Sequence, residues 1–236
     1  MNFDCGICEK SFKKLSKRQL SAMDALILAA GFGSRMNELT KDTPKPLLKV
    51  KNQTLLDYAV KITEGITFNN IFINSHYLAG QLHNYIELHF PHIKISHEED
   101  ILGTGGGIKK VQTDDVLVIN TDNLWNLNFK KEINQGIKFF HEHKEIENLL
   151  FTRSLGNNPD LEILDKQHIQ FPSDHPNTQF QGCHIIRKGA LDSYPLIFNI
   201  QDYWKIASLN NSLYGFETST TNQHLGTKDL YLQNQN

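Results

Sequence analysis

The chain has 236 residues, of which 39% are hydrophobic, and a formal net charge of −2 at pH 7. This length can bury one substantial core, and the near-neutral charge excludes the broad positive field that would hold nucleic acid or an anionic membrane surface. No apolar run reaches the ~20 residues of a spanning helix, and residues 1–10 lack the apolar segment of a signal peptide. We therefore expect one cytoplasmic domain.

Residues 1–22 are predicted to be an appendage that precedes a single domain at 23–232. They contain a C-G-I-C motif at Cys5 and Cys8, and the third cysteine, Cys183, is distant in the sequence. The motif could be redox-active or form half of a zinc site, but it lacks a second ligand pair and a preceding strand. Incidental thiols in a tail are the favoured interpretation.

Short apolar runs alternate with amphipathic stretches from Asp24 onward. Uninterrupted apolar runs suit strands that are buried on both faces of a parallel sheet, and apolar residues at helical spacing indicate helices between them. The predicted elements are strands at 25–29, 71–73, 93–95 and 116–119 and helices at 55–62 and 78–90. This order predicts a largely parallel sheet with helices on both faces, whose ligands lie beyond the carboxyl ends of the strands.

The apolar runs become shorter and more alternating beyond Leu149. The predicted edge or mixed-sheet strands of this part are 161–164, 168–171 and 179–186. The change divides the domain into a first half at 23–148 and a second half at 149–232.

A glycine-containing loop, A-A-G-F-G-S-R, directly follows the first predicted strand. Gly31 and Gly33 allow backbone amides and a helix N-terminus to approach an anion, and Arg35 and Lys45 add positive charge. A Rossmann fingerprint would need a third glycine at Met36, and the Walker sequence is absent. The residues indicate a phosphate-binding loop, with a structural strand-to-helix turn as the alternative.

A second glycine run, G-T-G-G-G at 103–107, is predicted to form a loop before a helix through Lys109 and Lys110. Such a loop would bring the backbone close to a flat or anionic ligand, and a flexible surface turn is the alternative. The strand at 116–119 then leads to Asp122, at the sheet edge where both glycine loops are expected. Because Mg²⁺ prefers few carboxylates with phosphate oxygens and water, Asp122 is a candidate magnesium ligand, with a helix cap as the alternative.

Two motifs together resemble the signature of the sugar nucleotidyltransferase family: L-A-A-G-F-G-S-R at 28–35 and P-K-P-L at 44–47. The similarity extends over about residues 23–230, and G-T-G-G-G-I is similar to the run in the N-acetylmuramate-1-phosphate uridylyltransferase and mannose-1-phosphate guanylyltransferase-like branches. The resemblance implies an α/β fold with a Rossmann-like, doubly wound, mixed and mainly parallel sheet. It also implies transfer of a nucleoside monophosphate from an NTP to a sugar 1-phosphate with release of pyrophosphate. The preferred pair is UTP and N-acetylmuramate 1-phosphate.

Three alternatives stay open. The first is nucleotidyl transfer from GTP or CTP to mannose 1-phosphate or phosphocholine, because the phosphate machinery is common to these reactions. The second is a non-catalytic homologue that senses nucleotides. An NAD-dependent oxidoreductase is disfavoured, because the glycine spacing and the acidic ribose ligand that it requires are not convincing.

The resemblance assigns the site residues in three groups. The expected catalytic residues are Arg35, Lys45 and Asp122. The expected nucleotide-binding residues are Leu28, Ala29, Ala30, Gly31, Gly33, Ser34, Glu98, Thr104, Gly105 and Gly106. The expected sugar-binding residues are Asn74, Asp160 and Gly182, with Phe180 and Gln181 of the same strand as further pocket-lining candidates, although Asn74 could simply cap a strand edge and Gly182 could form a bulge. The first half is thus expected to bind the nucleotide and the second half the acceptor.

The chain departs from the family pattern at its metal site. Relatives commonly carry V-D-V-G-T where this chain has Q-H-L-G-T, so that His224 stands in place of a second metal aspartate. The expected ligands are therefore Asp122 and His224, with Mg²⁺ as the cofactor and Mn²⁺ as the possible substitute, since imidazole suits hard Mg²⁺ poorly. The enzyme could work with one carboxylate, recruit Glu217 or Asp229, or have lost catalysis.

Overall fold

The structure is a computed structural model that describes residues 23–154 and 158–235. The predicted appendage at 1–22, with its C-G-I-C motif, lies outside the described residues. None of the helices in the described ranges is long and apolar enough to cross a membrane.

The described ranges contain strands, α-helices and short 3₁₀ segments in an alternating order. The strands are β1 (Met23–Leu28), β2 (Lys49–Val50), β3 (Gln53–Thr54), β4 (Ile71–Ser75), β5 (Lys94–His97), β6 (Asp115–Asn120), β7 (Asn123–Leu124), β8 (Asn148–Arg153), β9 (Glu162–Ile163), β10 (Ile169–Gln170), β11 (Gln179–Ile186), β12 (Leu213–Glu217) and β13 (Gln223–His224). The helices are α1 (Leu55–Thr63), α2 (Ala79–His89), α3 (Gly103–Val111), α4 (Phe129–Glu142), α5 (Ile200–Leu209) and α6 (Lys228–Gln233).

Seven strands form one mixed sheet in the order β12-β8-β11-β6-β1-β4-β5. Strand β11 is antiparallel to both of its neighbours, and the other pairs are parallel. The segment at 179–186 therefore lies inside the sheet as a mixed-sheet strand and not at an edge. The segments predicted at 161–164 and 168–171 form the separate β9–β10 hairpin, outside the main sheet.

Both faces of the sheet are covered, because alternate residues of its inner strands enter two different cores. In β6, Leu117 and Ile119 pack with α1, α2 and α4, whereas Val116 and Val118 pack with α3 and α5. Helix α1 begins at a capping box, in which Thr54 and Asp57 satisfy each other's backbone N–H groups. The prediction of a Rossmann-like, doubly wound, mixed and mainly parallel sheet is confirmed.

A third, smaller core fixes the C-terminal segment against the first glycine loop. It contains Met36 of the 3₁₀ helix Ser34–Thr40, Leu225 and Tyr231, whose hydroxyl donates a hydrogen bond to the Lys49 carbonyl at 2.8 Å. This core holds the loop after β1 and the strand β13 on the same side of the molecule. It therefore brings the two most distant motifs of the sequence together.

Candidate active site

The main cleft of the described chain has a volume of about 390 Å³ and lies at the carboxyl ends of β1, β4 and β6. These three strands are mutually parallel, so their final residues meet at one sheet edge. The cleft is lined by most of the residues that were predicted to bind the nucleotide or to act in catalysis, namely Leu28, Ala29, Ala30, Gly31, Gly33, Ser34, Arg35, Lys45, Glu98, Thr104 and Asp122.

The two loop glycines after β1 serve different purposes. A side chain at Gly31 would meet nothing within 4 Å, so this position leaves the backbone open to the cleft. Gly33 has φ +66°, and a Cβ there would lie 2.9 Å from Thr40 Cγ2 and 3.2 Å from Lys45 Cβ. The backbone therefore needs glycine at position 33 to bring the loop against the segment that carries Lys45. The loop leads into a 3₁₀ helix that is kinked at Asn37.

Lys45 and Asp122 form an ion pair inside the cleft. Lys45 Nζ donates a hydrogen bond to Asp122 Oδ2 at 3.1 Å, and the two side chains are only 12% and 18% exposed. Burial acts to raise the pKa of Asp122, but the charge of Lys45 and its hydrogen bond, with Arg35 nearby, leave it below the ordinary value. Asp122 is therefore ionised at neutral pH, although it is largely buried.

Positive charge accumulates around this pair. Burial lowers the pKa of Lys45, the charge of Asp122 opposes that shift, and the charge of Arg35 adds to it. Arg35 is exposed at the rim of the cleft. Two cations that face one carboxylate across a glycine loop leave a net attraction for an anionic ligand.

Asn74 and Glu98 tie the loops of the cleft to one another. Asn74 Oδ1 accepts a hydrogen bond from the Ala29 amide at 2.6 Å, and its Nδ2 donates to Glu98 Oε1 at 2.8 Å. Glu98 Oε2 accepts from the Leu102 amide at 3.0 Å, just before α3. Asn74, predicted to bind the sugar, thus lies in the main cleft with the phosphate loop. Its described contacts position β1 and the start of α3.

The second glycine run is the beginning of α3, so the prediction of a loop there is wrong. Gly103, at φ +73°, and Thr104 line the cleft. Side chains at Gly105 and Gly106 would overlap with the Phe198 ring and the Leu196 carbonyl, respectively. The close approach of the segment before α5 therefore accounts for these two glycines, and neither of them lines the cleft.

His224 lies beside Asp122, as its place in the motif predicts. Strand β13 pairs with β7 and sets His224 opposite Asn123, and the Leu225 amide donates to the Asp122 carbonyl at 2.6 Å. His224 Nδ1 lies 3.7 Å from Asp122 Oδ1 and 3.2 Å from Asn123 Oδ1. Any side chain at Gly226 would overlap with the imidazole, so the glycine of this motif makes room for the ring.

The electrostatics around His224 favour the neutral ring. Burial lowers the pKa of His224, and the charges of Lys45 and Arg35 add to the effect, while Asp122 and Asp160 oppose it. A neutral imidazole can offer a lone pair to a metal ion.

The donor set fits one divalent cation that also binds substrate oxygens. Asp122 Oδ1 is buried and has no hydrogen-bond partner, a costly state for a carboxylate oxygen unless a cation or donor arrives. No cluster of three or more metal-binding side chains occurs in residues 23–154 and 158–235. Glu217 and Asp229, suggested above as substitutes for the second metal carboxylate, do not line the cleft. Glu217 accepts hydrogen bonds from Ser154 at the far edge of the sheet, and Asp229 is exposed on α6.

A second cleft of about 220 Å³ adjoins the first and shares Thr104 and Asn120 with it. It is lined by Thr104, Asn120, Asp160, Leu161, Phe171, Phe180, His184, Ile200, Gln201 and Trp204. Asp160 Oδ1 accepts a hydrogen bond from the Phe180 amide at 2.8 Å, and burial raises the pKa of Asp160. The structure thus places Asp160, predicted to bind the sugar, in this cleft.

Gly182, the third predicted sugar ligand, does not line the second cleft. It has φ +73° and lies at an irregularity of β11 between Phe180 and His184, where a side chain would overlap with Asn123 Nδ2. That Nδ2 donates to the Gln181 carbonyl at 2.8 Å. The glycine therefore forms the bulge that the sequence left open as an alternative.

Sequence reasoning missed most of the walls of the second cleft. Helix α5, which supplies Trp204 and Gln201, was not among the predicted elements. His184 had a signal, because it shares strand 179–186 with the predicted site residue Gly182. Alternation along that strand could have directed attention to it.

Comparisons with known proteins agree with this architecture. The family model described as "Nucleotidyl transferase" matches residues 24–158. The chain is 34% identical over 111 residues to an N-acetylmuramate alpha-1-phosphate uridylyltransferase of Caulobacter vibrioides, which covers 43% of this chain and 46% of that protein. It is 44% identical over 64 residues to a CTP:phosphoglutamine cytidylyltransferase of Campylobacter jejuni, covering 27% of this chain and 25% of that one. The chain thus spans about a quarter to a half of these curated relatives.

Two solved structures share the fold over nearly the whole chain. A putative glucose-1-phosphate thymidylyltransferase from Bacillus anthracis has a TM-score of 0.72 at 20% identity, covering 90% of this chain and 93% of that one. A UDP-glucose pyrophosphorylase from Acinetobacter baumanii has a TM-score of 0.72 at 15% identity, covering 89% and 91%. At these identities the likeness concerns the fold alone.

Proposed function

Because the chain belongs to the nucleotidyl transferase family, we propose that it transfers a nucleoside monophosphate from an NTP to a sugar 1-phosphate and releases pyrophosphate. The observation that carries the proposal is the buried Lys45–Asp122 pair, which faces an open glycine loop at the carboxyl edge of the sheet. The first substrate pair is UTP and N-acetylmuramate 1-phosphate, the acceptor named for the Caulobacter relative. The reaction belongs in the cytoplasm, where NTPs are found.

The reaction is a displacement at the α-phosphorus. An oxygen of the sugar phosphate forms the new P–O bond, the bond between the α-phosphorus and the bridging oxygen breaks, and pyrophosphate leaves with the electron pair. The second pKa of a phosphate monoester is about 6, so the nucleophile is already ionised at neutral pH and no general base is needed. The protein therefore acts by alignment and charge neutralisation.

The residues of the main cleft divide this work. Lys45, which is paired with Asp122, donates a hydrogen bond to the α-phosphate as negative charge develops there. Arg35 and the amides of residues 31–34 hold the leaving pyrophosphate at the rim. Gly103 and Thr104 border the nucleoside, and the second cleft receives the sugar, because Thr104 and Asn120 belong to both clefts.

Asp122 and His224 would hold the divalent cation, Mg²⁺ or Mn²⁺. When bound, such an ion screens the charge of the phosphate oxygens and favours the approach of the anionic acceptor. The unpartnered Asp122 Oδ1 would supply an oxygen ligand, and His224 Nδ1, 3.7 Å away, would supply a nitrogen ligand once it released Asn123 Oδ1, which it faces at 3.2 Å. This mixed pair favours Mn²⁺ more than two carboxylates would.

The test is pyrophosphate release by the purified full chain with each NTP, with Mg²⁺ or Mn²⁺, and with a panel of acceptors. The panel contains N-acetylmuramate 1-phosphate, mannose 1-phosphate and phosphocholine, and an Asp122→Ala protein serves as the control. Release with one nucleotide and one sugar 1-phosphate, abolished in the control, supports the proposal and names the substrates. NTP binding without release across the whole panel would contradict it and favour a nucleotide sensor.

Replacing His224 by aspartate is expected to lower the Mg²⁺ concentration at half-maximal activity by roughly tenfold, which corresponds to about 1.4 kcal/mol. The reason is that a second carboxylate beside Asp122 Oδ1 gives the hard cation a second charged oxygen. The measurement is activity against Mg²⁺ and Mn²⁺ concentration, with His224→Asn as the matched uncharged control. An unchanged Mg²⁺ dependence in the aspartate protein would show that position 224 does not reach the ion.

A further inference from the structure

His184 and Trp204, which line the second cleft, are joined behind it by the buried side chain of Asn148. Trp204 Nε1 donates to Asn148 Oδ1 at 2.7 Å. Asn148 Nδ2 lies 2.6 Å from the Ile185 carbonyl and 3.0 Å from His184 Nδ1. Asn148 is fully buried, and His184 and Trp204 are nearly so.

This chain fixes which nitrogen of His184 carries the proton. An indole N–H can only donate, so the Asn148 atom that faces it must be the amide oxygen. The other end of the amide is then NH₂, which donates to the Ile185 carbonyl and to His184 Nδ1. A neutral imidazole that accepts at Nδ1 carries its hydrogen on Nε2.

The Nε2–H group of His184 faces the cleft as an unused donor. His184 lines the cleft, and its Nε2 hydrogen-bonds to no described residue. Among the described residues, Nε2 of His184 is also not one of the polar side-chain atoms that are inaccessible to solvent and lack a hydrogen-bond partner. Burial lowers the pKa of His184 to about 3, so the ring stays neutral and keeps this single donor throughout the physiological pH range.

The walls around this donor have the chemistry of a sugar site. The Phe180 and Phe171 rings lie 5.3 and 5.7 Å from the Trp204 ring, both edge to face, and the His184 ring lies 5.8 Å from Trp204. Asp160 lines the same cleft, and one of its oxygens is used by the Phe180 amide. These groups match those of a pyranose. The aromatic wall suits its apolar face, the fixed N–H donor suits one of its oxygens, and the carboxylate accepts from one of its hydroxyls.

We propose that His184 is a specificity-determining residue, whose Nε2–H donates a hydrogen bond to one oxygen of a pyranose acceptor that packs against Phe180 and Trp204. The inference rests on the proposed function, because the acceptor is the sugar 1-phosphate of that reaction. It adds the residue that selects the sugar and the atom through which the selection occurs. Asn148 acts through His184 as a positioning residue.

The test compares wild-type protein with His184→Phe and His184→Gln, using the acceptor that supports turnover and analogues of it that each lack one oxygen. With wild type, one analogue should lose about three- to tenfold in kcat/KM, the effect of one net hydrogen bond. With His184→Phe the same analogue should lose less than about twofold, because its partner is gone. Glutamine, whose amide N–H reaches the position of Nε2, should restore much of the discrimination. The KM for the NTP should stay unchanged in all three proteins.

Two outcomes would overturn the inference while the proposed function stands. One is an equal loss for every analogue in wild type and His184→Phe. The other is a ¹⁵N NMR spectrum of the wild-type protein in which His184 carries its hydrogen on Nδ1, and this measurement remains decisive if the phenylalanine variant fails to fold. An absence of turnover with any acceptor, beside measurable NTP binding, would instead overturn the proposed function itself.

Discussion

Replacing Asp122 by asparagine is expected to lower kcat for pyrophosphate release by about 10³-fold, or about 4 kcal/mol of transition-state stabilisation. Asparagine keeps the shape and can still accept the hydrogen bond from Lys45, but it removes the negative charge that compensates the lysine and that would bind the cation. The measurement is the rate at saturating NTP and acceptor, together with the melting temperature and NTP affinity of the variant.

Asp115→Asn is the matched control for this prediction. Asp115 begins the same strand, β6, at the opposite end of the sheet, where it lies 3.6 Å from Arg187 and accepts from the Lys188 amide. We expect kcat of this variant to stay within about twofold of wild type, because Asp115 lies at the opposite end of β6 from the cleft and lines no part of it. An Asp122→Asn protein that folds, binds NTP and retains a tenth of the wild-type rate would contradict the assignment of Asp122.

The residues whose position in the main cleft could be predicted from sequence are those that local order along the chain places at the ends of strands. Gly31, Gly33 and Lys45 lie within one strand–loop segment, so their spacing already shows that backbone amides and a cation meet at one strand end. Asp122 directly follows another strand, and parallel neighbours bring the two ends together. Placing the loop and Asp122 needed only the rule that ligands lie at the carboxyl ends of the strands in a parallel sheet.

The glycine run at 103–107 could not be interpreted from its own sequence. Glycine costs about 1 kcal/mol in a helix interior relative to alanine, so the local propensity predicted a loop. The helix requires glycine at 105 and 106 because Phe198 and Leu196, more than 85 positions further along the chain, pack where side chains would otherwise stand. Tertiary packing thus overrode propensity, and a single sequence does not display that partner.

Most walls of the second cleft were missed for a related reason. Strand β11 inserts between β8 and β6, and this insertion brings His184 to Asn148 and both of them to Trp204 on α5. Each of these side chains alone is an ordinary buried residue. The sequence of hydrogen bonds from Trp204 through Asn148 to His184 depends on non-local strand pairing. Only this sequence makes Nε2 of the histidine a donor.

Replacing Lys45 by methionine is expected to lower kcat by about 10²- to 10³-fold while NTP affinity changes by less than about tenfold. Methionine keeps a comparable apolar stem but cannot donate to the developing charge on the α-phosphate. Lys49→Met, at an exposed position on β2, is the matched control and should stay within about twofold of wild type. A Lys45→Met rate within tenfold of wild type would remove Lys45 from the chemistry.

The pH profile of the Lys45→Met protein tests whether the ion pair exists in the working enzyme. Burial acts to raise the pKa of Asp122, and the charge and hydrogen bond of Lys45 are the principal effects that hold it down. Without Lys45 the pKa of Asp122 should rise, although His224 and Arg35 still oppose the shift. Because the ionised carboxylate is the active form, activity is lost as pH falls through that pKa, and the acid limb of residual kcat should move to higher pH. An acid limb at the wild-type position would mean that Lys45 does not hold Asp122 ionised during turnover, even if the rate itself had fallen.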